Sequence, residues 1–402
     1  MRREYGIRYG PHLAAFSVGY VLFSYAAVPG VVGDHFDVGY TAVGLLMSAA
    51  LASFVLVQLF GGRLVDDRST VGVLLGVVTV NAALAVVMDL TDSFALLLAL
   101  RGLWGLAGGL AVTVCATHIS RVYGGPTATW HQGLNGGMFT AGGAVAYLVT
   151  PLLVDATGWF GVHAAGAVVA VPAAAVLWID RDRAARTRPE TRTREDETDT
   201  DGTSLESEPR RRADGGKPAS ALAVVRSPVV LLAAVCNFAT LGAYVTLSTF
   251  VAAYFADLGI AGPLSAFALF VASLGRLGGG IAVLRPAIHD GRVIAGAAGV
   301  GAASLFALLV GDGIALVVLP LLALAAVSLP FGAVFKAAST ATRRDGTAVA
   351  FVVAVGNVAA LVLPAITGHL RDATGEYALP FALMGGLNVV AAVAGLAIAR
   401  RG

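Results

Sequence analysis

Charged side chains are scarce in this sequence. Only 13% of its 402 residues are charged and 57% are hydrophobic, whereas an average soluble domain has about 25% charged residues. This scarcity excludes an ordinary soluble enzyme or binding domain. No basic patch is interleaved with aromatic residues either, so nucleic acid is not an expected partner. The composition is typical of a protein that crosses a membrane several times.

Cysteine is also rare. Cys115 and Cys236 both fall inside apolar runs, where cysteine behaves as a small hydrophobic residue. We therefore predict no disulfide, no metal site and no cofactor. No Ser/His/Asp set, HExxH or CxxC pattern is evident, and the glycine-rich runs follow no predicted strand, so no enzyme active site is predicted.

Long apolar runs are abundant. About 20 helical residues cross the hydrocarbon of a bilayer, because a membrane helix satisfies its backbone polar groups within itself. The predicted fold is an all-α membrane protein with twelve transmembrane helices. These lie near residues 11–33, 41–62, 70–90, 93–117, 131–154, 159–179, 228–254, 262–284, 291–310, 313–336, 346–370 and 377–399.

One polar segment interrupts this pattern. Residues 180–226 carry many charges of both signs and almost no large apolar side chains, so they cannot bury enough surface to fold. We predict a disordered cytoplasmic linker between two six-helix bundles, residues 1–179 and 227–402. A regulatory role for this linker is the alternative.

The arginines indicate the orientation of the chain. Loops on one side of the predicted helices hold nearly all of them, whereas loops on the other side hold only Arg371. By the positive-inside rule, we expect a multi-pass protein of the cytoplasmic membrane with both termini in the cytoplasm.

The two halves of the chain repeat each other. The tetrapeptide DATG occurs at 155–158 and 372–375, an offset of 217, and Gln58 and Arg276, each followed by two glycines, are 218 apart. Two matches at nearly one offset predict pseudo-symmetric bundles. Transporters built from two such halves bind their solute near the membrane midplane and rock one half against the other.

Charges inside predicted helices are the strongest candidates for function, because each costs at least about 2.5–3.5 kcal/mol at the membrane centre. No aspartate or glutamate falls in the middle of a predicted span to neutralise Arg276. Such a cation suits an anion that arrives as its partner. Arg101 is assigned to gating, with a structural role as the alternative. Lys336 and His118 are weaker candidates for charges near the path, since both fit an interfacial position.

Neutral residues are predicted to complete the site around Arg276 and to let the helices slide. Asn237 and Tyr244 share one face of the seventh predicted helix. Each such residue alone is more often an interhelical hydrogen bond than a ligand. The further candidates for binding are Gln58, Thr140 and Asn357, and the glycines expected at sliding contacts are Gly142, Gly143, Gly279, Gly280 and Gly356.

The stretch GGRLVDD resembles a loop signature of the major facilitator superfamily, Gly-x-Leu-x-Asp. Gly62, Leu64 and Asp66 occupy its positions, although Asp67 stands where a basic residue is expected. The resemblance implies that Asp66 meets the positive N-terminal end of a neighbouring helix and stabilises one conformation.

Residues 230–385 resemble the nitrate/nitrite porter family of that superfamily. The likeness rests on LGRLGGG, LPFGAVFKAAS and GNVAALVLPAITGHLRDATGEYALPF. It implies a monomeric transporter in the lipid bilayer, in which two arginines and aromatic rings hold a planar anion. Arg276 matches one arginine, but Gln58 stands in place of the other. This departure favours a small monovalent anion such as nitrite, formate or a short carboxylate over nitrate.

Several alternatives stay open at this point. GHLRDATGEY also fits the oxalate/formate and monocarboxylate group of the superfamily, which has the same helix 8 arginine. A general efflux permease would need the acidic or amide-rich cavity residues that are scarce here. A non-transporting membrane sensor would bind an anion without moving it. The residues indicate neither the direction of transport nor its coupling.

Overall fold

The structure is a computed structural model that describes residues 5–65, 68–123, 125–184, 224, 226–260, 263–283, 289–342 and 345–401. The side chains of residues 5, 58–65, 125, 126, 128, 129, 182–184, 280, 282, 283, 345 and 346 lie outside this description. All regular secondary structure within the described ranges is helical.

Seven α-helices form the N-terminal half, up to residue 184. They are α1 (Tyr5–Ser24), α2 (Pro29–Phe36), α3 (Tyr40–Val65), α4 (Thr70–Met88), α5 (Phe94–Val122), α6 (Gly125–Thr157) and α7 (Ala165–Ala184), with short 3-10 turns at Tyr25–Ala27 and Gly158–Gly161. α1 and α2 meet at a bend of 66°. Pro29 begins α2, which fits the preference of proline for the first turn of a helix.

Seven more helices in the described residues form the C-terminal half. They are α8 (Pro228–Asp257), α9 (Pro263–Val283), α10 (Asp290–Ala307), α11 (Ala315–Ser328), α12 (Phe331–Thr340), α13 (Asp345–Thr374) and α14 (Ala378–Ala399). Pro330 separates α11 from α12, since it lacks the N–H that would continue the helical hydrogen bonds.

The number of membrane spans falls short of the predicted twelve. Among the described helices, eight spans are long and apolar enough to cross a membrane when α11 and α12 are counted as one (Ala315–Thr340). The number rises to nine if the bent pair α1 and α2 is also one span. α9 qualifies only as a shorter apolar helix, Pro263–Gly279, and α7 and α10 do not qualify. α7 contains Asp180 and Arg181, and α10 begins with Asp290 and Arg292. The count of twelve is therefore not confirmed, although a helix or helix pair covers every predicted run.

The two halves meet along two seams, α3 with α13 and α6 with α9. Small residues allow the first seam to close backbone to backbone. A Cβ atom on Gly44 would overlap the carbonyl of Pro364, and one on Gly368 would overlap the carbonyl of Tyr40. Such close approach through glycine is a common way for membrane helices to associate.

Two names distinguish the ends of the bundle. The linker end is where α1 begins and α7 ends, and the Gly6 N–H donates there to Asp180 at 2.5 Å. The opposite end is where α3 begins and α13 ends. Arg276 lies on α9 between these two ends.

Candidate functional site

The guanidinium group of Arg276 lies against two aromatic rings. Its Cζ is 4.2 Å from the ring centroid of Tyr244 on α8 and 4.7 Å from that of Phe331, the first residue of α12. Its Nε is buried and has no hydrogen-bond partner, while the side chain as a whole is partly exposed. No carboxylate in the described part of the chain forms an ion pair with it.

The two rings do not balance the cost of burying this charge. A cation–π contact contributes about 0.5–2 kcal/mol, whereas moving an ion out of water costs several kcal/mol even after the protein relaxes. Arg276 as a residue is only partly buried, but its Nε is fully buried. A small anion at the guanidinium would offset more of the cost, because it supplies the missing charge.

Close helix packing fixes the position of Arg276. A Cβ atom on Gly275 would overlap the carbonyl of Ala325, and one on Gly279 would overlap the carbonyl of Leu329. These two glycines flank Arg276 on α9 and hold it against α11, directly before the break at Pro330. The break starts α12 with Phe331, whose ring reaches the guanidinium.

Unpartnered polar atoms occur on the helices around Arg276. The hydroxyl of Tyr244 and the hydroxyl of Ser328, the last residue of α11, are buried without a hydrogen-bond partner. Most buried polar atoms in proteins are hydrogen-bonded. No described contact places either hydroxyl at the guanidinium, so the ring of Tyr244 is its described contribution to the site.

Arg101 has a different environment, although it too lies within a long apolar helix. It is fully buried. Its guanidinium donates to the carbonyls of Val21 and Leu22 at 3.1 Å each and of Leu46 at 3.4 Å. The last carbonyls of a helix lack partners within it, and Val21 and Leu22 belong to the end of α1. Arg101 thus stabilises the bend between α1 and α2.

A family model of the major facilitator superfamily matches residues 12–340, which is more than half of the chain. The chain belongs to this superfamily. It is a multi-pass membrane protein and a secondary transporter. No curated protein matches the sequence significantly. The family model therefore confirms the predicted resemblance to the superfamily, and the resemblance to nitrate/nitrite porters is not confirmed.

Two of the predicted binding residues donate to backbone carbonyls, and one of these bonds joins two helices of the transporter. The Asn237 side-chain amide donates to the carbonyl of Val352 on α13 at 2.9 Å. The Thr140 hydroxyl donates to the carbonyl of Gly137 in its own helix at 2.9 Å. The interhelical hydrogen bond that the sequence left open as the alternative is therefore present at Asn237, whereas the bond of Thr140 stays within α6.

No described contact links the other two binding candidates, Asn357 and Gln58, to Arg276. Asn357 is partly buried on α13. Gln58 belongs to α3, but its side chain lies outside the described part of the structure. Of the six predicted binding residues, the structure brings Arg276 and Tyr244 together, and it adds Phe331. The sequence indicated a role for Phe331 only through its position, directly after the helix-breaking Pro330.

The predicted sliding glycines serve mainly as packing contacts. A Cβ atom on Gly142 would overlap the carbonyl of Phe16 on α1, and one on Gly356 would overlap the side chain of Asn237. Gly143 reaches the other half, since its Cβ would lie 3.1 Å from Leu269. Gly62 and Leu64 lie in α3 and Gly280 in α9, each outside the described side chains, and Asp66 lies outside the described residues.

Lys336 and His118 are already occupied by protein groups. Lys336 Nζ lies 3.2 Å from Asp290 Oδ1. His118 has Nδ1 2.7 Å from the hydroxyl of Thr70 and Nε2 2.8 Å from the carbonyl of Ile7. Each of these contacts joins neighbouring helices within one half. Lys336 and His118 therefore have polar partners, whereas no hydrogen-bond partner of Arg276 is found among the described residues.

Sequence reasoning missed a buried pair in the N-terminal half. His163 Nδ1 lies 2.6 Å from Asp89 Oδ1, and both side chains are fully buried. Asp89 Oδ2 also accepts from the backbone N–H groups of His163 and Ala164 at 2.6 and 2.7 Å. Asp89 thereby satisfies donors just before α7 begins, as an N-terminal cap does.

Proposed function

We propose that this transporter moves a small monovalent anion across the cytoplasmic membrane by alternating access, and that Arg276 is the charge that recognises the anion. The observation that carries the proposal is the guanidinium between Tyr244 and Phe331, without a carboxylate partner among the described residues. A cation within a membrane span normally has a partner or faces a water-filled cavity. An arriving anion would be that partner.

The charge of the site favours a monovalent anion. Arg276 supplies one positive charge, and Gln58, at the matching position of the first half, supplies none. An anion with one negative charge would leave the loaded site neutral, whereas a divalent anion would leave a buried excess charge. Aromatic rings on the guanidinium suit a flat solute. Nitrite, formate and short carboxylates meet these conditions, in keeping with the resemblance to nitrate/nitrite porters.

Uptake into proteoliposomes tests this proposal. Labelled nitrite and formate would be offered separately, with nitrate, acetate and oxalate as competitors, to the wild type and to Arg276→Ala, Arg276→Lys and Arg292→Ala. We expect Arg276→Ala to lower uptake at least about tenfold, because the charge is lost, and Arg276→Lys to keep part of it. Arg292→Ala is the matched control, since Arg292 is exposed on α10.

Each result leads to a different conclusion. Equal uptake by wild type and Arg276→Ala would show that Arg276 is not the recognition site. Binding without uptake in the wild type would identify a sensor. Competition by oxalate but not by nitrate would favour the oxalate/formate group. If neither uptake nor binding of any anion occurs, the transporter moves another class of solute.

A further inference from the structure

Among the described residues, five hydrogen bonds join the two halves. At mid-span the Ser48 hydroxyl donates to the carbonyl of Leu361 at 2.5 Å, and the Tyr147 hydroxyl donates to the carbonyl of Ser248. The remaining ones within the described residues involve Asp372, at the end of α13. The halves are therefore joined from mid-span to the opposite end.

Asp372 caps a helix that belongs to the other half. Its carboxylate accepts from the backbone N–H groups of Tyr40 and Thr41 at 2.8 and 2.7 Å, and from the Thr41 hydroxyl at 2.5 Å. These donors are in the first turn of α3, where N–H groups have no partner within the helix. A carboxylate at this position also interacts favourably with the positive end of the helix dipole.

Neighbouring residues hold the carboxylate in place. Arg371 lies 2.6 Å from Asp257 at the end of α8, within its own half, and its Cζ is 5.3 Å from the ring centroid of Tyr40 across the seam. A Cβ atom on Gly39 would lie 2.8 Å from the Asp372 carboxylate. The absence of a side chain at Gly39 thus allows the carboxylate to reach the start of α3.

The repeated tetrapeptide supplies an internal comparison. Asp155 begins DATG in the first half as Asp372 does in the second, and it lies at the end of α6, which forms the other seam with α9. α9 begins at Pro263, which has no N–H to donate. Asp155 is exposed and has no hydrogen bond or ion pair with a described residue. Only the second DATG of the pair makes a cap across a seam in the described structure.

The geometry points to Asp372 as a latch that keeps the opposite end of the transport path closed. Because Asp372 belongs to one half and α3 to the other, the halves cannot separate at this end until the cap breaks. The residue acts by positioning α3 and does not need to touch the solute. This inference rests on alternating access in the superfamily and is independent of which solute is carried.

Distances between spin labels test the latch. One label pair, on Asp34→Cys and Glu376→Cys, spans the opposite end, and a second pair, on Arg68→Cys and Ala341→Cys, spans the linker end. All four positions are exposed, and the native Cys115 and Cys236 are buried. Each pair would be measured by pulsed electron resonance in lipid nanodiscs, in otherwise wild-type protein and with Asp372→Ala or Asp155→Ala added.

We expect Asp372→Ala to raise the ratio of open to closed molecules at the opposite end about tenfold, because three hydrogen bonds to a carboxylate are lost. The linker end should close in the same molecules. This reciprocal change separates a latch from general loosening, which would widen both ends. Asp155→Ala should leave both distances as they are in the wild type.

Wild-type distances in Asp372→Ala, or an equal shift in Asp155→Ala, would overturn the inference. Melting temperature and size-exclusion profile would show whether each variant is folded. If Asp372→Ala does not fold, Thr41→Val gives the second measurement, since it removes the hydroxyl donor and keeps both backbone donors. A smaller shift in the same direction is expected for Thr41→Val, and no shift would refute the latch. Failure of anion uptake would not affect these results.

Discussion

Arg101 and Arg276 both lie against two aromatic rings, but they differ in their hydrogen bonds. Arg101 donates to three backbone carbonyls, so its charge is used within the fold. Arg276 has aromatic rings against its guanidinium and an unpartnered Nε. Both cations lie in apolar helices. The difference between them is therefore in their hydrogen-bond partners and not in their position along the membrane span. Arg101 contacts the end of α1 before the bend, and Arg276 is the residue that we propose binds the solute.

The ring of Tyr244 gives a prediction at this scale. Tyr244→Leu removes a ring 4.2 Å from the Arg276 guanidinium, whereas Tyr244→Phe keeps the ring and removes only the hydroxyl. A cation–π contact contributes about 0.5–2 kcal/mol, so we expect Tyr244→Leu to raise the half-saturation concentration for anion uptake by about 2- to 30-fold. Tyr244→Phe should stay within about twofold of the wild type. Equal effects of the two substitutions would contradict a role for the ring.

Single residues differ in how far sequence could predict them. Arg276 could be predicted because a charge within an apolar run costs free energy. Tyr244 could be predicted because helical spacing puts it on the same face as Asn237. Phe331 could not, because its contact with Arg276 depends on the break at Pro330 and on the packing of α9 against α11. The hydrogen-bond partners of Asn237 and Thr140 could not be predicted either. The same side-chain atoms of an amide or a hydroxyl can bond a solute or a backbone carbonyl, and the sequence does not distinguish the two.

Among the elements, α9 depends most on the spacing of its glycines. A Cβ atom on Gly279 would overlap the carbonyl of Leu329, whereas one on Gly278 would meet no described atom within 4 Å. The two glycines are adjacent in sequence but lie on different faces of the helix. One face contacts α11 and the other is open, so only one of the two glycines is needed for packing.

This contrast gives a matched pair of variants. We expect Gly279→Ala to lower the stability of the purified transporter by about 1–3 kcal/mol, because α9 and α11 must move apart. Gly278→Ala should be neutral or stabilising by up to about 1 kcal/mol, since alanine is the better helix former. Thermal unfolding in detergent measures both. A lower melting temperature for Gly278→Ala than for Gly279→Ala would contradict the packing described.

Sequence predicted the helices well and their interruptions poorly. Every predicted run overlaps a helix or a helix pair, because apolar length is a local property. Pro29 marks the start of α2 in the sequence, but the contact of Arg101 with the end of α1, 77 positions after Ser24, leaves no local signal. The number of spans also stayed open, because α7 and α10 contain charges whose tolerance depends on their neighbours.

At the scale of the whole molecule, the two ends of the bundle differ in charge and in contacts. The loops of the linker end carry most of the arginines, and the opposite end carries the Asp372 cap. The positive-inside rule places the linker end in the cytoplasm. That orientation is a prediction, because superfamily membership alone does not assign the ends to the two sides.

Labelling of single cysteines in intact cells tests the orientation. Glu376→Cys at the opposite end should react with a membrane-impermeant maleimide added outside. Ala341→Cys at the linker end should react only after the membrane is permeabilised. Both positions are exposed and both native cysteines are buried. The reverse pattern would mean that the arginine distribution had been misinterpreted and that the termini lie outside.

The charge at Arg276 has a further consequence for energetics. On the proposed function, the carrier with a monovalent anion bound has no net charge at its site, and the empty carrier has one positive charge. Membrane voltage would then act on the empty return step, with up to about 2.3 kcal/mol per 100 mV for a charge that crosses the whole field. An interior-negative cell would draw the empty site inward and leave the loaded step almost voltage-independent.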